Sequence, residues 1–163
     1  MRISVIGVGY VGLISATCFA ETGNVVTCYD IDDDKIKQLS KSQIPIYEPG
    51  LEALVKSNIN EGRLVFTSDF SSTINNSDCI IIAVGTPANK DGSTNLSYVL
   101  SVSEEIGTHL DRDTIVITKS TVPIGTSEKI KSIIKNKLSI RKQELKILTI
   151  SNPEFLKEGD AIR

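Results

Sequence analysis

Gly7, Gly9 and Gly12 stand at G-x-G-x-x-G spacing directly behind the branched, mostly apolar run Ile3-Ser4-Val5-Ile6. A strand, a glycine turn and then a helical apolar pattern form a cradle for a diphosphate. Gly7 permits the tight turn, Gly9 lets backbone approach the anion, and Gly12 lets helix and strand pack closely. Free amides at the start of the helix face the anion, and the helix dipole favours it. Asp30 follows at the tip of the next strand, about 20 residues beyond the glycines, where a carboxylate accepts hydrogen bonds from adenosine ribose hydroxyls. An ordinary strand-end or capping aspartate is the plainer reading of the same residue. A carboxylate there would meet a ribose 2′-phosphate as a like charge at close range, a penalty of several kcal/mol, so the pattern favours NAD over NADP. No arginine follows nearby to accept a phosphate, and Asp32, Asp33 and Asp34 read mostly as cap and first-turn acids of a helix. Lys35 either leans back to the ribose or is solvated, and spacing does not choose between these.

Further polar residues fall in loops that leave the carboxyl ends of strands, where open α/β sheets form their ligand crevice. Thr86, in Gly85-Thr86-Pro87, is a candidate cofactor contact. Thr121 follows the fifth strand and Glu154 the sixth, and a hydroxyl with a carboxylate can together position and deprotonate a water. Lys157 supplies a cation for a developing oxyanion or a phosphate. The plainer alternatives are that Thr121, ahead of Val122-Pro123, only caps a turn and that Glu154 only opens a following helix.

The elements that must hold these residues alternate strand and helix. Helices are expected over 10–22, 33–40, 51–58, about 70–76, 98–110 and from about 126 to 138. Strands are expected at the start of the chain and over 25–31, 63–67, 79–84, 114–118 and 145–150. Cys79-Ile80-Ile81-Ile82-Ala83-Val84 is the most continuous apolar strand, as befits the centre of a parallel sheet covered on both faces. Right-handed crossovers then give a Rossmann-type doubly wound parallel sheet of order 3-2-1-4-5-6 in a three-layer αβα fold. Ile44-Pro45-Ile46-Tyr47-Glu48-Pro49-Gly50 reads as a proline-punctuated loop.

At 163 residues and 40% hydrophobic, the chain is expected to build one domain around one core. A net charge of -2 with interspersed signs gives no basic field for nucleic acid, and no run is apolar and long enough to span a bilayer. The start of the chain goes straight into the motif strand rather than a leader, so a cytoplasmic protein is expected. Cys18, Cys28 and Cys79 are odd in number, lie in no C-x-x-C pair and sit in apolar elements, which reads as buried reduced thiols and not a disulfide or metal framework. His109, near the end of its helix, reads as a solvated or helix-terminal cation.

Five motifs in order resemble the amino-terminal domain of the UDP-glucose/GDP-mannose dehydrogenase family: Gly7-Val8-Gly9-Tyr10-Val11-Gly12, Pro45-Ile46-Tyr47-Glu48-Pro49-Gly50, Val84-Gly85-Thr86-Pro87, Lys119-Ser120-Thr121-Val122-Pro123 and Asn152-Pro153-Glu154-Phe155-Leu156. The resemblance covers the whole chain. It implies an NAD-dependent, two-step oxidation of a nucleotide sugar at C6, from alcohol through aldehyde to carboxylate, with a cysteine thiolate carrying the aldehyde and then a thioester that water hydrolyses. UDP-glucose is the implied substrate, with GDP-mannose or UDP-N-acetylmannosamine as the alternatives, and polysaccharide synthesis is the family's usual setting.

Carried over by position, Tyr10 and Val11 join the three glycines at the cofactor. Asp30 and Lys35 hold the adenosine ribose, and Thr86, Pro87, Thr121 and Glu154 complete the NAD site. Thr121 and Glu154 would serve hydrolysis. Glu154, Phe155, Leu156, Lys157 and Glu158 would touch the sugar nucleotide. The family's nucleophilic cysteine and its assisting lysine, asparagine and aspartate lie later in the complete enzyme, so residues 1–163 are expected to be the NAD-binding domain without the central helical and carboxyl-terminal UDP-sugar-binding domains, inactive alone. The complete enzyme is expected to be a homodimer or higher. A non-catalytic dinucleotide-sensing module would share the glycines and Asp30 but has no reason to carry the 119–123 and 152–156 segments.

Overall fold

The computed structural model describes residues 1–162. In chain order the elements are β1 (Arg2–Ile6), α1 (Tyr10–Glu21), β2 (Val25–Tyr29), α2 (Asp33–Leu39), α3 (Leu51–Asn60), β3 (Leu64–Thr67), α4 (Phe70–Ile74), β4 (Cys79–Ile82), α5 (Ser97–His109), β5 (Thr114–Thr118), α6 (Thr126–Ile140) and β6 (Ile147–Ser151). The six strands form one sheet in the order β3-β2-β1-β4-β5-β6, and every pairing is parallel. This is the expected Rossmann-type order, reversing between β1 and β4.

The alternation of side chains along each strand divides the core into two layers. Ile3 and Val5 of β1, with Cys79 and Ile81 of β4, face a layer completed by residues of α1, α2 and α3. Ile6, Ile80 and Ile82 point the other way, into a layer built with Ile74 of α4, Val99 and Ile106 of α5, and Ile130, Ile134 and Leu138 of α6. All four β4 residues are buried, which is why this strand shows no polar alternation. Each fully buried isoleucine there contributes roughly 1.5–3 kcal/mol.

Local sequence sets the boundaries. Asp32 caps α2 by accepting the Asp34 and Lys35 N–H groups, and Asp69 caps α4 through Ser72. Two strands stop short of their apolar runs. β2 ends at Tyr29 because Asp30 turns inward to accept an N–H from the glycine turn. β4 ends at Ile82 because Ala83 and Val84 pass over Gly7. Cys28 and Cys79 are buried and Cys18 is half-buried, all as free thiols. Among the described residues no group of histidine, cysteine or acidic side chains could hold a metal, and no helix is long and apolar enough to cross a membrane.

Candidate functional site: a cleft at the strand ends

Parallel strands put all their carboxyl ends on one edge of the sheet, and the loops leaving them surround a cleft of about 730 Å³. Gly7, Gly9, Tyr10 and Val11 form one wall, Asp30 and Lys35 another, and Thr86, Thr121 and Glu154 close the far side. The expected site residues from five separate loops thus meet in one place.

The glycines divide by what the fold itself requires. Gly7 has φ +96°, and a Cβ there would lie 2.8 Å from the Ala83 carbonyl oxygen. A Cβ on Gly12 would lie 1.9 Å from the Gly7 carbonyl oxygen. Both are therefore demanded by packing. Gly9 has an ordinary φ of -70°, and a Cβ there would meet nothing within 4 Å. Its bareness serves the cleft, not the fold. It is also the N-cap of α1, with no side-chain cap and no acid in the first turn, so the opening amides of the helix are left to a ligand. A diphosphate fits this turn, and that observation tests the NAD assignment on the protein's own geometry. Gly9→Ala is expected to change stability by less than about 1 kcal/mol while weakening NAD binding by about tenfold, ~1.4 kcal/mol; melting curves and calorimetry together check this. Wild-type affinity in Gly9→Ala would mean that no anion approaches the turn.

Asp30 is only 8% exposed. Its Oδ2 accepts the Val8 N–H at 2.9 Å and pairs with Lys35 Nζ at 3.0 Å, while Oδ1 accepts the Asp32 N–H at 3.1 Å. A carboxylate offers about four acceptor positions. Three are filled by protein donors, which leaves a position on Oδ1 for a ribose hydroxyl. The bond to Val8 ties Asp30 to the glycine turn, so its placement has a structural role of its own. Lys35 leans onto Asp30 in the cleft wall rather than standing in solvent.

On the far side, Ser120 Oγ donates to the Val84 carbonyl at 2.7 Å and Lys119 Nζ donates to Asn152 Oδ1 at 3.2 Å, which joins the loops after β4, β5 and β6. The Thr121 hydroxyl makes no hydrogen bond among the described residues; Thr126 closes that turn by donating to the Pro123 carbonyl. Turn capping is therefore not the role of Thr121. Among the described residues no helix follows β6. Glu154 instead sits in an irregular loop, half-buried, with Oε2 accepting the Leu156 N–H at 2.5 Å.

Other expected contacts fall outside the cleft. Gly12 is buried and does not line it, and Pro87 is exposed and does not line it either. Phe155 is exposed, Leu156 packs on the first core layer, Lys157 pairs with Asp160 at the surface, and Glu158 is exposed. The sequence reading did not anticipate the apolar lining that Tyr29, Ile31, Phe70, Tyr98 and Val102 give the cleft. Tyr29 and Phe70 pack edge to face with centroids 4.9 Å apart. Nor did it anticipate Glu48, a buried acid from the proline-punctuated loop. Glu48 Oε2 accepts the Tyr10 hydroxyl at 2.6 Å and the Gly159 N–H at 2.9 Å, and Oε1 accepts the Ala161 N–H at 2.7 Å. The donated Tyr10 hydroxyl, with these backbone N–H groups, holds the Glu48 carboxyl below the usual carboxylate range. No spacing rule reaches such contacts, since Tyr10 lies 38 residues from Glu48 in sequence, and Gly159 and Ala161 lie 111 and 113 residues away.

A parallel sheet with an uncapped glycine turn at the order reversal, and an acid after β2 tied to that turn, defines a Rossmann-type dinucleotide-binding domain. The chain belongs to the UDP-glucose/GDP-mannose dehydrogenase family: residues 1–163 match the family model described as its NAD binding domain, and NAD is the dinucleotide. It is 46% identical over 162 residues to UDP-glucose 6-dehydrogenase of Pseudomonas aeruginosa, with 99% of this chain and 36% of the relative covered. It is 50% identical over 161 residues to UDP-glucose 6-dehydrogenase TuaD of Bacillus subtilis, with 99% and 34% covered. The solved structure of a ternary complex of GDP-mannose dehydrogenase from Pseudomonas aeruginosa superimposes with a TM-score of 0.92 at 37% identity, covering 99% of this chain and 38% of that one. The chain spans about a third of the length of the curated relatives it matches.

Proposed function

We propose that this chain is the NAD-binding domain of a UDP-glucose 6-dehydrogenase, which oxidises UDP-glucose to UDP-glucuronate with two NAD. The observation that carries the reading is the convergence of the glycine turn, Asp30, Thr121 and Glu154 on one cleft. The UDP-glucose 6-dehydrogenase relatives at 46% and 50% identity support UDP-glucose among nucleotide sugars.

Bound NAD supplies the hydride acceptor. The chain's own residues hold and orient it: the amides opening α1 and the bare Gly9 face the diphosphate, Asp30 with Lys35 takes the adenosine ribose, and Thr86 and Thr121 bound the opposite side of the cleft. Glu154 and the unbonded Thr121 hydroxyl position and deprotonate the hydrolytic water. The covalent step needs a thiolate, and no cysteine here offers one. Burial raises the Cys18 and Cys28 thiols and pushes Cys79 up to about 11, and Cys28 and Cys79 lie in the core. The nucleophile therefore comes from outside residues 1–163, and this chain alone is expected to bind NAD without reducing it in the presence of UDP-glucose.

A chimera tests the reading. Residues 1–163 replacing the matched third of the Bacillus subtilis relative are expected to restore NADH formation from UDP-glucose to within about tenfold of the parent rate, ~1.4 kcal/mol in barrier. A folded chimera that binds UDP-glucose yet forms no NADH would contradict it.

A further inference from the structure

Two loops distant in sequence close on the glycine turn through one side chain. The 44–50 loop seats Ile44 and Ile46 on the first core layer, and the segment after β6 seats Leu156, Ala161 and Ile162 on the same layer. Those apolar contacts bring the two segments side by side without fixing either backbone. Glu48 supplies the fixed geometry. Gly159 adopts φ +85°, in a turn closed by the Asp160 N–H donating to the Lys157 carbonyl at 3.0 Å, and this turn aims the Gly159 N–H at Glu48 Oε2. The Ala161 N–H meets the other carboxylate oxygen. Tyr10 completes the arrangement: its hydroxyl donates to Glu48 and accepts from Gly159 N–H at 3.1 Å, while its backbone is the first residue of α1 beside Gly9.

We propose that Glu48 is a positioning residue that clasps the segment carrying Glu154 to the dinucleotide-binding turn, with Tyr10 coupling the clasp to occupancy of that turn. This rests on reading the cleft as an NAD site, and it extends that reading to a residue outside the cleft. The reasoning is geometric. Glu154 hangs between β6 and the Gly159–Ala161 anchor, so its reach over the cleft is set by both ends of that span. A diphosphate on the α1 amides fixes the Tyr10 backbone, which steadies the hydroxyl that holds Glu48. Linkage then requires the converse: an intact clasp favours NAD binding. Charge-assisted hydrogen bonds to partly buried backbone donors are strong enough to carry such coupling.

Hydrogen exchange of the 153–162 segment, with and without saturating NAD, tests the proposal in wild type, Glu48→Gln and Tyr10→Phe, with NAD binding followed by calorimetry. Glutamine keeps the size but turns an NH₂ towards an N–H or O–H donor, so the clasp opens; phenylalanine removes only the coupling hydroxyl. Without NAD, the segment is expected to exchange about tenfold faster in Glu48→Gln than in wild type, and near the wild-type rate in Tyr10→Phe. NAD, at concentrations that saturate each protein, is expected to slow exchange in wild type about tenfold and to have little effect in either variant, both of which bind NAD more weakly than wild type, as linkage requires. Equal exchange of wild type and Glu48→Gln without ligand would overturn the clasp. NAD-dependent slowing that persists in Tyr10→Phe would overturn the coupling. Absence of NAD binding to the wild-type chain would instead overturn the reading of the cleft and the coupling with it, and the ligand-free comparison would still decide the clasp.

Discussion

Gly12→Ala is expected to lower the melting temperature by about 10 °C, from a loss of roughly 3 kcal/mol or more, the upper end for overpacking. The added Cβ would lie 1.9 Å from the Gly7 carbonyl oxygen, 3.0 Å from its carbon and 3.3 Å from the Ala83 Cβ. Two of these three neighbours are backbone, so no rotamer change relieves the contact. Either α1 lifts from the sheet or the Gly7 turn deforms, and Gly7 is itself held at 2.8 Å by its N–H on the Tyr29 carbonyl. Against a total stability of about 5–15 kcal/mol, this is a large fraction. Thermal and urea unfolding measure it directly. A Gly12→Ala protein melting with wild type would mean that α1 does not approach β1 and β4 as closely as described. The contrast with Gly9→Ala is diagnostic: three residues apart in one motif, one substitution is expected to harm the fold and the other only the ligand.

Glu154→Gln, placed in the chimera, is expected to slow steady-state conversion to the acid by about 100-fold, the low end for loss of a general base. The amide oxygen of glutamine can still accept the Leu156 N–H that Glu154 accepts at 2.5 Å, so the local turn survives and only the capacity to take a proton is lost. The kinetic signature follows from that distinction. If Glu154 acts in hydrolysis alone, as proposed, an initial burst of NADH is expected to remain and to be followed by a slow phase limited by hydrolysis. Rapid-mixing absorbance measurements resolve the two phases. Unchanged steady-state turnover would remove Glu154 from the hydrolytic step.

Much of this was legible because parallel sheets write their rules into short stretches. The branched run before Gly7, the four buried residues of β4 and the alternation of elements fixed the strand order, and that order placed Thr86, Thr121 and Glu154 at one edge before any distance was known. Asp30 was legible from its spacing, but its bond to Val8 was not, since a sequence does not show which way a strand-end carboxylate turns. The ends of β2 and β4 were overextended because apolarity continues through Ile31 and Val84 for a different reason: these residues line the cleft. Glu48 was hidden altogether. Its loop was readable from two prolines, yet its partners Tyr10, Gly159 and Ala161 are brought to it only by the packing of two irregular segments on one core layer. Periodicity and motif spacing describe regular elements, and contacts between loops obey neither.

Lys35 changes the electrostatic account of cofactor choice. With its ammonium 3.0 Å from Asp30, the pair carries little net charge, so the expected preference for NAD rests less on bare charge than on the open acceptor position of Asp30. Displacing Lys35 from Asp30 to meet a phosphate would leave a carboxylate that is only 8% exposed without its counter-ion.

The decisive measurement is therefore calorimetric titration of this chain with NAD and, in parallel, NADP. Saturable binding of NAD with NADP weaker by at least about tenfold is the expected result, and at 100 times its dissociation constant NAD should stabilise the fold by roughly 2.7 kcal/mol. Equal affinity for the two would contradict the assignment of Asp30 to the ribose, and binding of neither would contradict the cleft as a dinucleotide site within this chain.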